Sequence, residues 1–507
     1  MRKLANNTVC FLLVGIAAMW SGIAGGAGPE EPGTIELLRT PDARFENLPG
    51  YDFEPHYVFV DDPTGSPGNA RIRVHYTYSG PAGAPTLLLM HGNPSWSYLF
   101  REIVPLINKA GYRTVMFDYV GMGRSDKPTR ESDFSYDRHL EWIRQIVEAL
   151  DADPELQLGR VVLMGHDYGH PFGARLIAEH YPDRFDGFIN GNAGLNRGLS
   201  GLSPRHDKWR NFVRRAPIVP IGRIVCANPS RMAAGLSVCS EEIQAGWMAP
   251  YPGREYQAAI RHFPEIVPED VTWPEAKANQ HAWDHLTARF TKPYMVIWEN
   301  WDLPDARRNR RAEYIEQIPG AFGREQPQFK TGHYSPEDNP EGVAAAVVRF
   351  LDDIYVPNDF EEVLRTDFSS GLERLSCQPE PCAQEGDRKA IRLGAPDVSL
   401  VQSSSMDLSA AQEIKVAFRF LPEATDQGDK LLVDLWNGED WTQILSIRRG
   451  AEIGDGDFFN GSTDYGYVRV GREKVSFAAD ARIRLRTQFA GSRASILIKE
   501  LGVYTRP

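Results

Sequence analysis

The stretch that decides the fold is Arg160-Val161-Val162-Leu163-Met164-Gly165-His166-Asp167-Tyr168-Gly169, an apolar run that ends in a pentapeptide centred on aspartate. A run of buried-strand character leads into a position flanked by glycine two residues away on either side. Small residues there let the chain turn sharply and lift the central side chain above a sheet, the geometry of a nucleophile elbow. Where many hydrolases carry serine this chain carries Asp167. A carboxylate so presented can displace a leaving group from sp3 carbon and form an ester. Alone, the pattern equally describes a loop with a solvated aspartate, so its surroundings decide.

Upstream, the apolar run Thr86 to Met90 leads directly into His91-Gly92-Asn93-Pro94-Ser95-Trp96-Ser97-Tyr98, which reads as strand, loop and helix. In such an arrangement two amides converge on an oxyanion, one from this loop and one from the residue after the nucleophile, here the backbone NH groups of Asn93 and Tyr168. Pro94 lacks an NH and suits a helix start. Downstream, Lys292 to Trp298 reads as a buried strand, and Glu299-Asn300-Trp301-Asp302-Leu303-Pro304 as the loop after it. Asp302 is the candidate acid, with Glu299 and Asp305 as rivals. His333, in Thr331-Gly332-His333-Tyr334 before the amphipathic stretch Pro340 to Leu351, is the candidate base, since imidazole titrates near neutral pH. Nucleophile, acid, base is the chain order of one hydrolase architecture.

Four segments, HGNPSWSYLFR (91 to 101), FDYVGMGRSDKP (117 to 128), GHDYG (165 to 169) and TGHYSPEDNPEGV (331 to 343), together resemble the haloalkane dehalogenases of the α/β-hydrolase superfamily. The resemblance covers roughly residues 45 to 355 and includes a helical cap, in which Ala249-Pro250-Tyr251-Pro252 and His262-Phe263-Pro264 are family-like. It implies Asp167 as nucleophile, His333 as base, Asp302 as acid and Asn93 as a halide-binding side chain. One departure stands out: the family usually has tryptophan after the nucleophile, whose indole NH donates to the departing halide, and this chain has Tyr168. Tyrosine donates only from its phenol oxygen, farther along the ring axis. Trp209 of the cap resembles a tryptophan that one dehalogenase subgroup contributes to halide binding, with packing of the cap as the competing role.

Epoxide hydrolases use the same nucleophile and base but activate an epoxide with cap tyrosines, for which Tyr251 and Tyr256 are available. Their HGxP loop usually carries an aromatic residue where Asn93 stands. A non-catalytic binding protein on a hydrolase frame is the more distant alternative, opposed by the presence of Asp167, Asp302 and His333. His166, Asp167 and His170 are clustered, but the elbow accounts for them better than a metal does, and neither metal nor other cofactor is expected. A net charge of -12 disfavours nucleic acid as a partner.

A chain of 507 residues with 42% hydrophobic content is expected to hold more than one domain. Arg2 and Lys3 precede the apolar run Val9 to Trp20, and Gly22 to Ala27 are mostly small. This reads as a secretory signal over residues 1–27, too short an apolar run to cross a bilayer comfortably as a mature span, with an uncleaved anchor as the alternative, and the protein is expected outside the cell or in the periplasm. Without Cys10 four cysteines remain, and sequence proximity pairs Cys226 with Cys239 and Cys377 with Cys382. Free buried thiols are the alternative.

The expected architecture is an α/β-hydrolase over residues 34–355 with a cap over about 195–290, a linker over 356–366 and an all-β sandwich over 367–507. Short β-type runs such as Ile414 to Phe420, Lys430 to Trp436 and Tyr465 to Val470 support the sandwich. They loosely resemble galactose-binding-like jelly-roll modules of secreted bacterial enzymes. Trp436, Trp441 and the acidic turn between them are candidate contacts for carbohydrate or calcium, against core packing and a solvated turn. The expected substrates of the hydrolase are a small apolar electrophile and water.

Overall fold

The computed structural model describes residues 35–63, 71–299, 306–356, 360–368, 374–378, 384–385, 390–394, 400–450, 463–490 and 493–507, except residues 157, 203 and 228. Residues 1–27, Asp302, Asp305 and Cys382 lie outside them. Among the described residues no helix is long and apolar enough to cross a membrane.

Eight strands build the first sheet: β1 (His56–Val60), β2 (Ile72–Ser79), β3 (Thr86–Met90), β4 (Arg113–Phe117), β5 (Val161–His166), β6 (Gly187–Gly191), β7 (Tyr294–Glu299) and β8 (Gln328–Phe329). Their order is β8-β7-β6-β5-β3-β4-β2-β1. Pairing is antiparallel from β1 through β2 to β4 and parallel from β4 to β8. The parallel strands β3 to β7 are buried at every position. Helices cover both faces of such a sheet, so its strands need apolar residues on both sides rather than in alternation.

The helices, beginning with α1 (Ile103–Lys109), follow from local signals. Ser135 accepts a hydrogen bond from the amide of Arg138 and starts α2 (Tyr136–Ala152), while Asn339 caps the Gly342 amide at the start of α12 (Pro340–Tyr355). The buried side of α12 is Val343, Ala344, Ala346, Val347, Phe350 and Leu351, the helical spacing that its amphipathic sequence anticipates. Between β6 and β7 the cap is assembled from α4 (Pro204–Arg215), α5 (Ile221–Cys226), α6 (Pro229–Ala233), α7 (Glu241–Met248), α8 (Ala258–His262) and α9 (Pro274–Ala288). A disulfide joins Cys226 to Cys239, with Cα atoms 5.1 Å apart, and ties the end of α5 to the entry of α7. Cys377 is disulfide-bonded as well.

The C-terminal region forms two antiparallel sheets. Its strands are β9 (Glu361–Thr366), β10 (Leu375–Gln378), β11 (Gln384–Glu385), β12 (Ala390–Gly394), β13 (Leu400–Ser403), β14 (Glu413–Glu423), β15 (Lys430–Trp436), β16 (Trp441–Arg448), β17 (Asp464–Gly471), β18 (Arg482–Gln488) and β19 (Ser495–Arg506). One sheet runs β11-β12-β19-β14-β17 with β9 also on β19, and the other runs β10-β13-β18-β15-β16. Ile414, Val416 and Phe418 of the first meet Val433, Leu435 and Leu485 of the second in a core separate from that of the hydrolase. The stretch read as a linker differs in its second half. Glu361–Thr366 is strand β9, paired with Leu501 to Thr505, because Leu364 has an apolar place to go and is 1% exposed.

The acidic turn is self-contained: the Asn437 side-chain oxygen accepts from the amides of Glu439 and Asp440. Trp436 is half-buried, and its indole NH donates to Asp480. The sandwich is not free of the hydrolase. Its six-stranded sheet packs on α10 (Ala306–Gln317), α12 and the segment between α10 and β8, through Arg311 to Asp464, Asp353 to Arg469 and the Gly323 amide to the Tyr465 hydroxyl.

Candidate active site

Strand β5 delivers Asp167 one residue past its end, and Asp167 has φ +52°, a left-handed backbone that a side chain other than glycine rarely adopts. The flanking glycines make that turn sterically feasible. A Cβ on Gly165 would come within 2.4 Å of the Gly169 carbonyl carbon, and one on Gly169 within 2.3 Å of the Met90 carbonyl oxygen. Helix α3 (Gly169–Glu179) starts directly after Tyr168. The Asp167 side chain remains 22% exposed, so a ligand can reach it.

The Asn93 amide donates to Asp167 Oδ1 at 3.0 Å. The loop that holds it is wired to the sheet: His91 Nδ1 donates to the Gly92 carbonyl, and its Nε2 accepts from the Tyr119 amide. Asp118, fully buried, receives the Ser97 amide, the Arg124 amide and His75 Nδ1. Burial pushes the Asp118 carboxyl up, but His75, His91 and the Arg124 amide outweigh it and hold it well below the usual carboxylate range. Pro94 follows a cis bond, and the first helical turn begins only at Ser97, so Pro94 shapes the loop and is not a helix start. The side-chain amide of Asn93 is buried and has no hydrogen-bond partner among the described residues. A donor left so, beside the Asp167 carboxylate, is suited to receive an anion released there.

His333 precedes α11 (Ser335–Asp338) and reaches back to the elbow, its Nε2 3.3 Å from Asp167 Oδ2. On the other side of the ring, Nδ1 lies 3.4 Å from Glu299 Oε1 and 2.6 Å from the Asn192 side-chain amide. Glu299 ends β7 and is completely buried. Asn192 follows β6 at φ +53°. Burial alone would lower the His333 pKa, but Asp167 and then Glu299 outweigh it and raise it. Asp167 is likewise pushed up by burial and brought below its ordinary value by His333, His166 and the Asn93 amide. A proton on His333 Nδ1 satisfies Glu299, calls for the oxygen end of the Asn192 amide, and leaves Nε2 able to take a proton from water.

Asp167, His333 and Asn93 are thus brought together, and Glu299, a rival acid in the sequence, is the described carboxyl group at Nδ1; Asp302 lies outside the described residues. Asn192 carried no sequence signal beyond its place after a strand. Tyr168 departs from a halide donor's role, because its hydroxyl donates to the Phe263 carbonyl at 2.7 Å, tying the elbow to the cap. Trp209 sits on α4, half-buried against the hydrolase core and stacked on Phe212 with centroids 5.9 Å apart. Tyr251 is buried and its hydroxyl accepts from the Gly123 amide, a structural role within the cap contact. Cys226, Cys239 and Glu337 have metal-like spacing, but the two sulfurs are joined and offer no thiolate.

A family model described as the alpha/beta hydrolase fold matches residues 85–340. A haloalkane dehalogenase of Mycobacterium marinum is 37% identical over 314 residues, which are 62% of this chain and 99% of that protein. One from Psychrobacter cryohalolentis is 36% identical over 63% of this chain and 99% of its own length. The tetrameric haloalkane dehalogenase DpaA from Paraglaciecola agarilytica superposes with a TM-score of 0.52 at 26% identity, covering 61% of this chain and 97% of that one. With an Asp at the elbow, a histidine on it and relatives matched over almost their entire length, the chain belongs to the haloalkane dehalogenase family of α/β-hydrolases.

Proposed function

We propose that the enzyme hydrolyses small haloalkanes through an alkyl ester on Asp167. One Asp167 carboxylate oxygen attacks the halogen-bearing carbon in line; the C–O bond forms as the carbon–halogen bond breaks, and the halide leaves with its electron pair. The unpartnered Asn93 side-chain NH2 receives the developing halide charge. His333 Nε2 then takes a proton from water, whose oxygen attacks the Asp167 carboxyl carbon, while Glu299 stabilises the imidazolium through Nδ1. The amides of Asn93 and Tyr168 hold the resulting oxyanion. Collapse breaks the bond from the Asp167 carboxyl carbon to the alkyl oxygen, His333 Nε2 returns its proton to that oxygen to release the alcohol, and loss of the second water proton to solvent restores the carboxylate.

The observation that carries this reading is the contact of His333 Nε2 with Asp167 Oδ2 at 3.3 Å, with the buried, unpartnered Asn93 amide beside it. The test is mass spectrometry on two variants given a brominated alkane. Asp167→Asn is expected to release no halide, and His333→Gln to gain the mass of one alkyl group and stop. A His333→Gln protein that never gains that mass, while the parent consumes the substrate, sinks the two-step mechanism; turnover of epoxides without halide release would favour an epoxide hydrolase instead.

A further inference from the structure

The sandwich lies beyond residues 85–340, which the alpha/beta hydrolase fold model matches, yet its contacts lead toward His333. Arg311, on α10 and 8% exposed at its side chain, donates from Nη1 to Asp464 of β17 at 2.9 Å and from Nη2 to the Gln326 carbonyl at 2.9 Å. Gln326 in turn accepts from the Val296 amide at 2.7 Å and donates to the Tyr294 carbonyl at 3.1 Å. Both belong to β7, the strand that ends in Glu299. The next turn of the same helix grips the other partner of the imidazole. Tyr314 accepts the Leu195 amide at 2.6 Å, three residues from Asn192, and the Arg310 guanidinium packs on Gly194, where a Cβ would come within 2.3 Å of it. One helix, directly and by way of Gln326, therefore holds backbone three residues before Glu299 and three residues after Asn192.

That helix is held from the sandwich side at more than one point. Lys499 of β19 pairs with Glu316, one turn beyond Ala312. Next to α10, Phe322 is 8% exposed and lies between the guanidinium groups of Arg365 and Arg419, with the Tyr465 ring 6.1 Å away. Asp353 of α12 meets Arg469 at 3.2 Å. Of these charges Arg311 and Asp353 are buried and hydrogen-bonded, at 8% and 7% exposure, and such pairs are the ones that can hold two bodies in one register.

We propose that the docked sandwich is a positioning element of the active site: Asp464, through Arg311 and α10, keeps Glu299 and Asn192 on Nδ1 of His333. The proposal rests on the two-step reading above for its kinetic consequence, but not for its structural one. Loss of the Asp464 contact leaves the Asp167 displacement intact and weakens the step that needs the oriented histidine.

The test uses the full chain with Asp464→Ala and Arg311→Lys, and Asp464→Glu as the conservative variant. In single-turnover measurements the alkylation rate is expected to stay within about twofold of the parent, while ester hydrolysis slows about tenfold and alkyl-enzyme accumulates. In NMR titration of histidine-labelled protein, with the His333 signal assigned from His333→Gln, its midpoint is expected to fall toward the ordinary value, because a carboxyl group that raises it is less well placed. Asp464→Glu is expected to restore part of both. Folded Asp464→Ala and Arg311→Lys proteins with the parent's His333 titration overturn the proposal, whatever the reaction turns out to be. A shifted titration with no trapped ester in His333→Gln overturns the proposed chemistry and leaves the positioning role standing.

Discussion

Glu299 and His333 meet at 3.4 Å, the carboxyl group at the end of β7 and the imidazole on the loop before α11. The carboxyl is wholly buried and the histidine side chain 14% exposed, which strengthens their electrostatic coupling beyond what the same pair would have in water. With Asp167 on the opposite nitrogen, the ring is held between two acids, and this explains why its pKa is raised despite burial.

Replacing Glu299 by glutamine removes one of those raising charges. In the proposed second step ester hydrolysis needs neutral His333, so on that mechanism its rate rises with pH through the His333 midpoint, and that rising limb is expected to move to lower pH. The plateau is expected to fall on the order of 100-fold, since the imidazolium formed in the step loses its stabiliser. A pH profile of kcat measured under conditions where hydrolysis limits turnover decides this, and an unmoved limb would assign the acid elsewhere.

Halide contacts can be separated from cap contacts. Asn93→Ala keeps the backbone amide that donates to Asp167 but loses the side-chain donor. It is expected to slow release of chloride more than bromide, chloride being the poorer leaving group. Tyr168→Phe loses the bond to Phe263, worth about 1 kcal/mol of stability, and is expected to leave the chloride to bromide ratio unchanged. Halide-release rates on matched chloro- and bromoalkanes, with urea midpoints alongside, give both answers.

The disulfide between Cys226 and Cys239 closes a cap loop that includes Arg231, which pairs with Asp338 just after His333. Asp338 also accepts the Gly332 amide at 2.8 Å, so the loop braces the turn that carries His333. Cys226→Ser together with Cys239→Ser is expected to lower stability by roughly 2–4 kcal/mol. Thermal unfolding of the double variant against the parent measures it, and equal midpoints would deny the bridge a role.

Acid is expected to destabilise the fold early. Burial is the first cause that holds His166 down to about 4 and His170 down to about 3. Between those values and roughly 6.5, the ordinary imidazole value, the unfolded chain binds more protons than the folded one. Their contribution is therefore fully present above about pH 6.5 and lost as pH falls toward 3 or 4. His333, raised, acts in the opposite sense and loses its contribution as pH rises. Urea midpoints between about pH 7 and pH 4.5 are expected to fall steadily in the parent and less steeply in His170→Gln.

Much of the site was legible in the chain because its parts are local. An apolar run followed by Gly165-His166-Asp167-Tyr168-Gly169 is a buried strand and a turn that only small flanking residues permit, so the placement of Asp167 and the sheet around it follow from neighbours in sequence. The same holds for the HGNP loop, whose amide meets Asp167, and for His333 before an amphipathic helix. The sandwich was legible through its short alternating strands, although β9 was not, since six residues with a bulge at Val363 read as linker until Leu501 to Thr505 pair with them.

Tertiary structure decided what distance along the chain conceals. Sequence spacing made Asp302 the candidate acid with Glu299 and Asp305 as rivals; Asp302 and Asp305 lie outside the described residues, and the parallel pairing of β7 beside β6 brings Glu299 and Asn192 to one imidazole nitrogen. The role of Tyr168 depended on where its hydroxyl ends, and the approach of Phe263 from the cap settled it. That the sandwich grips α10 was invisible for the same reason: Arg311 and Asp464 are 153 residues apart, and a buried charge pair carries no mark in either sequence that names its partner. Local patterns specify strands, turns and the chemistry they can present; long-range packing selects which charges share a low-dielectric space, and that selection fixes which groups act together.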